Sequence, residues 1–305
     1  MSGRKWTTKI RVIFWCGLIL ITGIAWGVYR YLSAPMVSVV MSVYNGTKNN
    51  YLHRSIPSVL NQSFKDFEFI IVDDGSSDSS WDVLKTYAAK DDRIKLVKND
   101  RNRGISYSRN RGNSLARGKY IMIMDQDDDN HPYRILKQVA YMEKHPTVDL
   151  VAVPSIINSW PVNYTWTEDQ IKFNLFFNNM IGHPNLMVKR KFLIDHHIQY
   201  DEAIKCSNDY DWLLQIRDAG GHFACMKEAL FIYNGANYSA TSQCPSETQK
   251  IHERFSKADL KTQPADYLCD IVALIQKTPK YQRLFSSEFL DVLDQVNQSL
   301  CLNRE

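Results

Sequence analysis

The sequence predicts an α/β domain with a mostly parallel central sheet and helices on both faces. Apolar, strand-like runs cover residues 36–43, 67–72, 94–97, 120–124 and 148–153, and helical patterns separate them. Such alternation is typical of parallel sheets, in which a crossover helix joins each strand to the next. The content of 44% hydrophobic and 23% charged residues is that of an ordinary globular protein.

Apolar residues at helical spacing fill the segments between these strands. The predicted helices cover residues 51–62, 80–90, 104–116, 132–144 and 207–219. After Pro154 the alternation becomes irregular. We expect residues 183–188 to return to the sheet and residues 222–226 and 230–233 to form short strands.

An uncharged apolar run at residues 12–29 predicts a transmembrane helix. As a helix it would rise about 27 Å, close to the hydrocarbon thickness of a bilayer. The basic residues that precede it favour a cytoplasmic N-terminus: Arg4, Lys5, Lys9 and Arg11. The alternative is a cleaved signal peptide, but no clear small-x-small cleavage site follows the run. We expect a single-pass membrane protein, and the side of the membrane that holds the α/β domain is left open.

The other predicted boundaries follow from the same patterns. A short basic tail covers residues 1–11, and a linker covers residues 30–35. The α/β domain covers residues 36–240, and a mostly helical extension covers residues 241–305.

Composition also argues against several classes of function. The formal net charge of +4 is spread along the 305 residues, so the sequence predicts no nucleic-acid partner. The six cysteines show no CxxC spacing, which argues against a zinc site or a thioredoxin-like motif.

An acidic run, Asp125-Gln126-Asp127-Asp128-Asp129, follows the fourth predicted strand. Carboxylates so close together repel one another unless a cation or hydrogen-bond donors compensate them. Mg²⁺ and Mn²⁺ prefer oxygen ligands and often bridge carboxylates to phosphate oxygens. The run therefore suits departure of a diphosphate leaving group, and the alternative is a solvated acidic turn.

Two further acidic segments have a structural and a functional interpretation. Asp73-Asp74-Gly75-Ser76 ends the second strand, where it forms either a turn with a helix cap or a carboxylate site for a nucleoside. Asn208-Asp209-Tyr210-Asp211 begins a helix, where carboxylates favour the helix dipole. One of those carboxylates is alternatively a general base that takes a proton from an acceptor hydroxyl.

Four motifs occur in order along the chain: MVSVVMSVYNG, SVLNQSFKDFEFIIVDDGSSD, GISYSRNRGNSLARGKYIMIMDQDDD and NDYDWLLQI. Together they resemble the family 2 glycosyltransferases, and the resemblance covers residues 36–233. It implies a GT-A fold, a nucleotide-diphosphate sugar donor such as a UDP-sugar, and inversion at the anomeric carbon. The implied acceptor is a hydroxyl of a glycan or glycolipid, as in polysaccharide biosynthesis, and the implied cofactor is Mn²⁺ or Mg²⁺.

The resemblance also implies roles for individual residues. Ser42 and Tyr44 would line the nucleotide pocket at the end of the first strand. Asp74 corresponds to the carboxylate that contacts uridine, with Asp73 beside it. The triplet Asp125-Gln126-Asp127 resembles the DxD motif of the family, which makes Asp127 the metal ligand and places Asp125 and Gln126 on the donor side.

Two other positions complete this assignment. Arg109 matches an Arg-Asn pair of the family and either approaches the diphosphate or forms a structural salt bridge. Asp209 resembles the catalytic base. Many relatives have Glu where this chain has Asn208, so the base is either Asp209 alone or Asp209 together with Asp211. The acidic run also extends to Asp129, which leaves the register of the metal ligand open by one position.

Two other functions are compatible with this fold class. A nucleotide-sugar-binding protein without transfer activity would need a damaged base or metal motif, and both motifs are intact. A nucleotidyltransferase would need a Gly-rich, basic loop after the first strand, which residues 44–48 do not supply. A dinucleotide-binding dehydrogenase is disfavoured because no GxGxxG follows a strand.

Overall fold

The computed structural model describes residues 34–162, 166–175 and 181–234. The strands in this part are β1 (Val37–Val43), β2 (Phe67–Asp73), β3 (Ile94–Lys98), β4 (Tyr120–Met124), β5 (Asp129–Asn130), β6 (Leu150–Ala152), β7 (Ser155–Ile157), β8 (Trp160–Val162), β9 (Leu186–Lys189), β10 (Phe223–Cys225) and β11 (Phe231–Tyr233). The α-helices are α1 (Tyr51–Leu60), α2 (Ser80–Ala88), α3 (Ile105–Leu115), α4 (Arg134–Lys144), α5 (Glu168–Asn174), α6 (Arg190–Asp195) and α7 (Asn208–Asp218).

The strands form two sheets. The central sheet has seven strands in the order β10-β6-β9-β4-β1-β2-β3, and the smaller sheet has four in the order β5-β11-β7-β8. In the central sheet β1 runs parallel to β2 and β4, and β3 extends the parallel pairing beyond β2. Strand β9 is antiparallel to both β4 and β6. The predicted mostly parallel α/β sheet is therefore confirmed.

Helices cover both faces of the central sheet, as predicted. On one face Val40 and Ile123 belong to the same buried cluster as Trp212 and Leu213 of α7. On the other face a second buried cluster joins sheet residues such as Met41 to apolar residues of α1 and α4. Burial of these alternating apolar side chains is the main force that fixes the strands in register.

Helix α3 packs unusually close to the sheet. A Cβ atom on Gly112 would lie 2.5 Å from Cγ1 of Val40 in β1, so a glycine is required for this approach. The close packing also brings Arg109, one helical turn earlier, into the protein interior, where it is 7% exposed.

The structure differs from the predicted elements mainly after residue 124. Strand β5, the β7–β8 hairpin and helices α5 and α6 are two to seven residues long, too short for a periodic pattern to reveal. Residues 183–188 return to the sheet only in part. His183–Asn185 form a 3₁₀ turn, and Leu186–Lys189 form β9.

Three predicted segments lie wholly outside the described residues: the basic tail at 1–11, the transmembrane helix at 12–29 and the extension at 241–305. Within the ranges that the structure describes, none of the helices combines the length and the apolar character needed to cross a bilayer. The membrane anchor therefore stays a prediction from the sequence.

Candidate active site

The carboxyl ends of β1, β2 and β4 meet at one edge of the central sheet. Val43 pairs with Asp73 of β2, and Met41 pairs with Met124 of β4. Ligands of open parallel sheets bind at this edge. The strand-end residues that the sequence predicted for the site, from Ser42 to the acidic run after Met124, therefore share one region.

Two polar atoms at this edge are buried without a partner among the described residues. They are Oγ of Ser42 and Oδ2 of Asp73. The other oxygen of Asp73 accepts a hydrogen bond of 2.9 Å from the backbone N–H of Ser76. Because buried polar atoms nearly always have a partner in native proteins, each of these two oxygens is suited to meet a bound ligand.

Asp74 has a different environment from Asp73. Its carboxylate accepts hydrogen bonds from Nδ2 of Asn99 at 2.7 Å and from the backbone N–H groups of Arg103 and Gly104, both at 2.9 Å. These donors belong to the loop that leads into α3. Asp74 therefore holds this loop against the end of β2, and its predicted contact with a nucleoside stays a prediction.

Gln126 connects the loop after β4 to the loop after β1. Its Oε1 accepts a hydrogen bond of 3.0 Å from the backbone N–H of Tyr44, and its Nε2 donates to the backbone oxygen of Tyr44 at 3.2 Å. The side chain of Gln126 is therefore engaged within the protein. Tyr44 remains 44% exposed, so its ring lines the open side of this edge.

Arg109 connects the acidic run to the start of α7. Its Nη2 forms a salt bridge of 2.9 Å with Oδ1 of Asp125, and its Nη1 donates to Oδ1 of Asn208 at 2.8 Å. Burial opposes the charge of Arg109, but Asp125, Tyr200 and Asp209 raise its pKa above the ordinary value. The structure thus shows a salt bridge of Arg109, and the approach of Arg109 to a diphosphate stays a prediction.

Helix α7 presents its two carboxylates differently. Asp211 is 3% exposed, and its Oδ2 accepts a hydrogen bond of 2.7 Å from Nε2 of Gln215 in the same helix. Asp209 is half-buried in the first turn. Its charge acts on Arg109 and Tyr200, as does the charge of Asp125, so both carboxylates lie near that pair. This arrangement favours Asp209 over Asp211 for contact with a ligand.

The acidic run carries more negative charge than its neighbours compensate. Burial, and then the charge of Asp125, raise the pKa of Asp127. Burial, Asp125 and Asp127 together raise the pKa of Asp128 to about 8. Asn234 donates its backbone N–H to Asp128 at 2.9 Å and its Nδ2 to Asp129 at 2.8 Å. Asp128 and Asp129 are thus both bonded to Asn234, and Asp127 as the metal ligand stays a prediction.

The donor set of the acidic run fits a hard divalent cation. All its ligand atoms are oxygens, and Oδ1 of Asp129 is buried without a partner in the described part of the chain. Among those residues, no group of three or more His, Cys, Asp or Glu side chains is arranged to enclose a metal ion. Magnesium is commonly held by one or two carboxylates plus substrate phosphates, so a site with fewer than three clustered protein ligands is compatible with it.

The aromatic group beneath Arg109 was not predicted from the sequence. The guanidinium lies over the ring of Tyr200, 5.5 Å from its centroid, and that ring stacks on Trp212 at 5.2 Å. The Tyr200 hydroxyl lies 2.7 Å from Nε2 of His183. Burial and Arg109 hold the pKa of His183 well below its ordinary value, so this imidazole is neutral. Tyr200 lies in an irregular segment, and no pattern in the sequence points to it.

The sequence is similar to known glycosyltransferases. The model of the family described as "Glycosyl transferase family 2" matches residues 38–207. An uncharacterized glycosyltransferase of Methanocaldococcus jannaschii, MJ1057, is 38% identical over 216 residues, which cover 68% of this chain and 73% of that protein. The UDP-Glc:alpha-D-GlcNAc-diphosphoundecaprenol beta-1,3-glucosyltransferase WfaP of Escherichia coli is 34% identical over 108 residues, 35% of this chain and 41% of WfaP.

The fold also matches solved structures. S. aureus TarS 1-349 in complex with UDP-GlcNAc superposes with a TM-score of 0.60 at 18% sequence identity, covering 86% of this chain and 87% of TarS 1-349. The family model covers the ends of β1, β2 and β4 and helix α3, which carries Arg109. The alignment with MJ1057 is longer, at 216 residues. The first three motifs and the GT-A-like α/β architecture thus have one explanation: the chain belongs to the family 2 glycosyltransferases and is a glycosyltransferase.

Proposed function

We propose that this enzyme transfers a sugar from a UDP-sugar to a hydroxyl of a glycan or glycolipid with inversion at the anomeric carbon. The observation that carries the proposal is the link through Arg109, which joins Asp125 at the end of β4 to Asn208 at the start of α7. This link fixes a donor-side carboxylate and the helix of Asp209 in one site. A transferase needs this arrangement because donor and acceptor must react side by side.

Both the similar proteins and the strand edge of this chain support a UDP-sugar as donor. The name of the relative WfaP includes UDP-Glc, and TarS 1-349 has been solved in complex with UDP-GlcNAc. At the strand edge of this chain, the unpartnered oxygens of Ser42 and Asp73 are suited to donors of a nucleoside, such as a base N–H or a ribose hydroxyl. The exposed ring of Tyr44 adds an apolar surface beside them.

Asp209 is the proposed general base. The acceptor hydroxyl attacks the anomeric carbon, its proton passes to the carboxylate of Asp209, and the bond to the diphosphate breaks. Attack from the face opposite the leaving group inverts the anomeric carbon. Asp211 is unsuited to this role because it is buried and bonded to Gln215.

The acidic run is the proposed site of Mg²⁺ or Mn²⁺, with Asp127 as ligand and Asp125 on the donor side. When bound there, the cation would neutralise charge on the departing diphosphate. Arg109 holds Asp125 in place, and Asn234 holds Asp128 and Asp129, so the half-buried Asp127 lies in a loop that is fixed on both sides of it.

Release of UDP from UDP-sugars in the presence of Mn²⁺ or EDTA tests the proposal. A transferase should release UDP slowly with metal and stop with EDTA, whereas a nucleotidyltransferase would release pyrophosphate or sugar phosphate. Asp127→Ala should abolish Mn²⁺-dependent UDP binding in calorimetry. Tight, Mn²⁺-dependent binding by that variant would contradict the assignment.

A matched pair of variants tests the base. Asp209→Asn should keep UDP binding and lower turnover by about 10²–10⁴-fold, which is the usual effect of losing a general base. Asp211→Asn lies in the same helical turn and is the control, with a much smaller loss expected. A larger loss in Asp211→Asn than in Asp209→Asn would move the base to Asp211.

Membrane attachment through residues 12–29 is part of the proposal and rests on the apolar run alone. Fractionation of cells that produce the full chain should place the enzyme in membranes after carbonate washing. Release into the wash would contradict the anchor. Protease protection of the α/β domain would then identify the side of the membrane on which it lies.

A further inference from the structure

Three large side chains form a row across the smaller sheet. In the strand register Tyr233 of β11 pairs with Ile157 of β7, and Ile157 pairs with Trp160 of β8. Directly paired residues of neighbouring strands project from the same face of a sheet. Tyr233, Ile157 and Trp160 therefore lie side by side on one face. We name these three residues the aromatic row, after the aromatic residues at its two ends.

Exposure increases along the aromatic row. Tyr233 is half-buried, Ile157 is 37% exposed and Trp160 is 77% exposed. Strands lie about 4.8 Å apart, so the row spans roughly 10 Å from the first side chain to the third. A tryptophan exposed to this extent on a sheet edge presents a broad apolar ring face to a ligand.

The buried end of the row is attached to the acidic run. Asn234, the residue after Tyr233, bonds to both Asp128 and Asp129. Strand β5, which begins at Asp129, pairs with β11 next to Tyr233. Burial first, and then Asp128, Asp127 and Asp125, raise the pKa of Tyr233, as expected for a hydroxyl near these carboxylates. The row therefore starts at the candidate active site and leads away from it.

We propose that the aromatic row binds the acceptor glycan, with a sugar ring of the non-reacting part stacked on Trp160. This inference rests on the proposed function, since it assumes an acceptor whose reacting hydroxyl lies near Asp209. The acceptor would then extend from the acidic run along Ile157 to Trp160.

The shape of the row favours a glycan over other partners. Stable protein interfaces bury about 800 Å² on each side, far more than a row one side chain wide can cover. A linear glycan fits a narrow row, because each sugar ring has a flat apolar face and a polar rim.

The test combines oligosaccharide binding with a separate measure of donor turnover. The full chain is titrated with linear oligosaccharides of two to six glucose, N-acetylglucosamine or mannose units. Trp160→Ala should weaken the affinity for the oligosaccharide that binds best by about two- to tenfold, the range for one aromatic contact. Trp160→Phe should restore most of it. Ile194→Ala removes another exposed apolar side chain, 53% exposed on α6, and is the control without an effect.

The outcomes separate the two proposals. If the wild-type enzyme releases UDP from its donor but Trp160→Ala binds every oligosaccharide as the wild type does, the inference about the row is wrong and the proposed function stands. The inference is equally wrong if the wild type binds none of the oligosaccharides. It is also wrong if, in a parallel titration with phosphatidylglycerol vesicles, Trp160→Ala weakens vesicle binding but leaves oligosaccharide binding unchanged. If no UDP-sugar is turned over, the proposed function fails, whatever the oligosaccharide titrations show. Once an acceptor has been identified, steady-state kinetics of Trp160→Ala should show a higher KM for that acceptor and an unchanged kcat.

Discussion

Arg109 and Asp125 form a salt bridge of 2.9 Å between Nη2 and Oδ1, although they lie on different elements, α3 and the loop after β4. The second arm of the same guanidinium reaches Asn208. Because the planar fork of an arginine fixes both bonds at once, the positions of Asp125 and the start of α7 depend on each other. Of these two partners of Arg109, Asn208 is neutral and Asp125 carries a charge.

Arg109→Lys tests whether this link positions the site. Lysine keeps the charge but lacks the planar fork, so it cannot hold both partners in the same geometry. We expect kcat/KM for UDP-sugar turnover to fall by roughly tenfold to a hundredfold, the size of effect that small displacements in an active site produce. The control is Arg101→Lys, at a side chain that is 72% exposed. A rate within twofold of the wild type would show that the link does not position the site.

Asp73 and Asp74 are adjacent, yet the structure predicts different effects for them. Asp74→Asn replaces one carboxylate oxygen by an amide that cannot accept from the loop before α3. Hydrogen bonds to charged groups contribute about 1.5–3 kcal/mol, and we expect a loss of that size in the free energy of unfolding by urea. Asp73→Asn should leave stability closer to the wild type, because its Oδ2 has no protein partner among the described residues.

Loss of UDP affinity should be larger in Asp73→Asn than in Asp74→Asn, the reverse of the order expected for loss of stability. If Oδ2 of Asp73 meets the nucleoside, Asp73→Asn should weaken UDP affinity by roughly tenfold in calorimetry. Asp74→Asn, measured below its unfolding transition, should bind UDP with a smaller loss. Equal stability losses in the two variants, or a larger binding loss in Asp74→Asn, would contradict this order and favour Asp74 as the nucleoside contact, as the family resemblance implies.

The sequence predicted the strand ends well because β1, β2 and β4 are mostly apolar runs that are buried on both faces. It could not distinguish Asp73 from Asp74, because the donors to Asp74 come from a loop that returns from residues 99–104. That contact depends on tertiary structure, which local patterns do not encode.

The sequence could not distinguish Asp209 from Asp211 as the candidate base for a related reason. Most of α7 is buried, including Tyr210, Trp212 and Leu213, so the helix has no exposed stripe from which the direction of each carboxylate could be read. Tyr200 was missed because the short irregular segment that holds it acquires its role only by packing against Arg109 and Trp212.

The loops after β1 and β2 are joined by Asp78. Its Oδ2 accepts hydrogen bonds from the Thr47 hydroxyl at 2.6 Å and the Thr47 backbone N–H at 3.2 Å, and its Oδ1 accepts from the backbone N–H of Ser80 at 3.0 Å. Burial alone would raise the pKa of Asp78, but the hydrogen bonds from Ser80 and Thr47 lower it to about 2 from an ordinary value of 3.8. The charged form is therefore favoured in the folded protein.

This lowered pKa predicts how stability depends on pH. A carboxylate with a depressed folded-state pKa stabilises the protein fully above its unfolded value, and that contribution is lost as pH falls through the folded value. The difference in unfolding free energy between the wild type and Asp78→Asn should therefore be constant above about pH 4 and shrink between about pH 4 and 2. Urea unfolding across this range measures this difference, with exposed Asp92→Asn as the control. A difference that stays constant down to pH 2 would show that the charge of Asp78 does not join these loops.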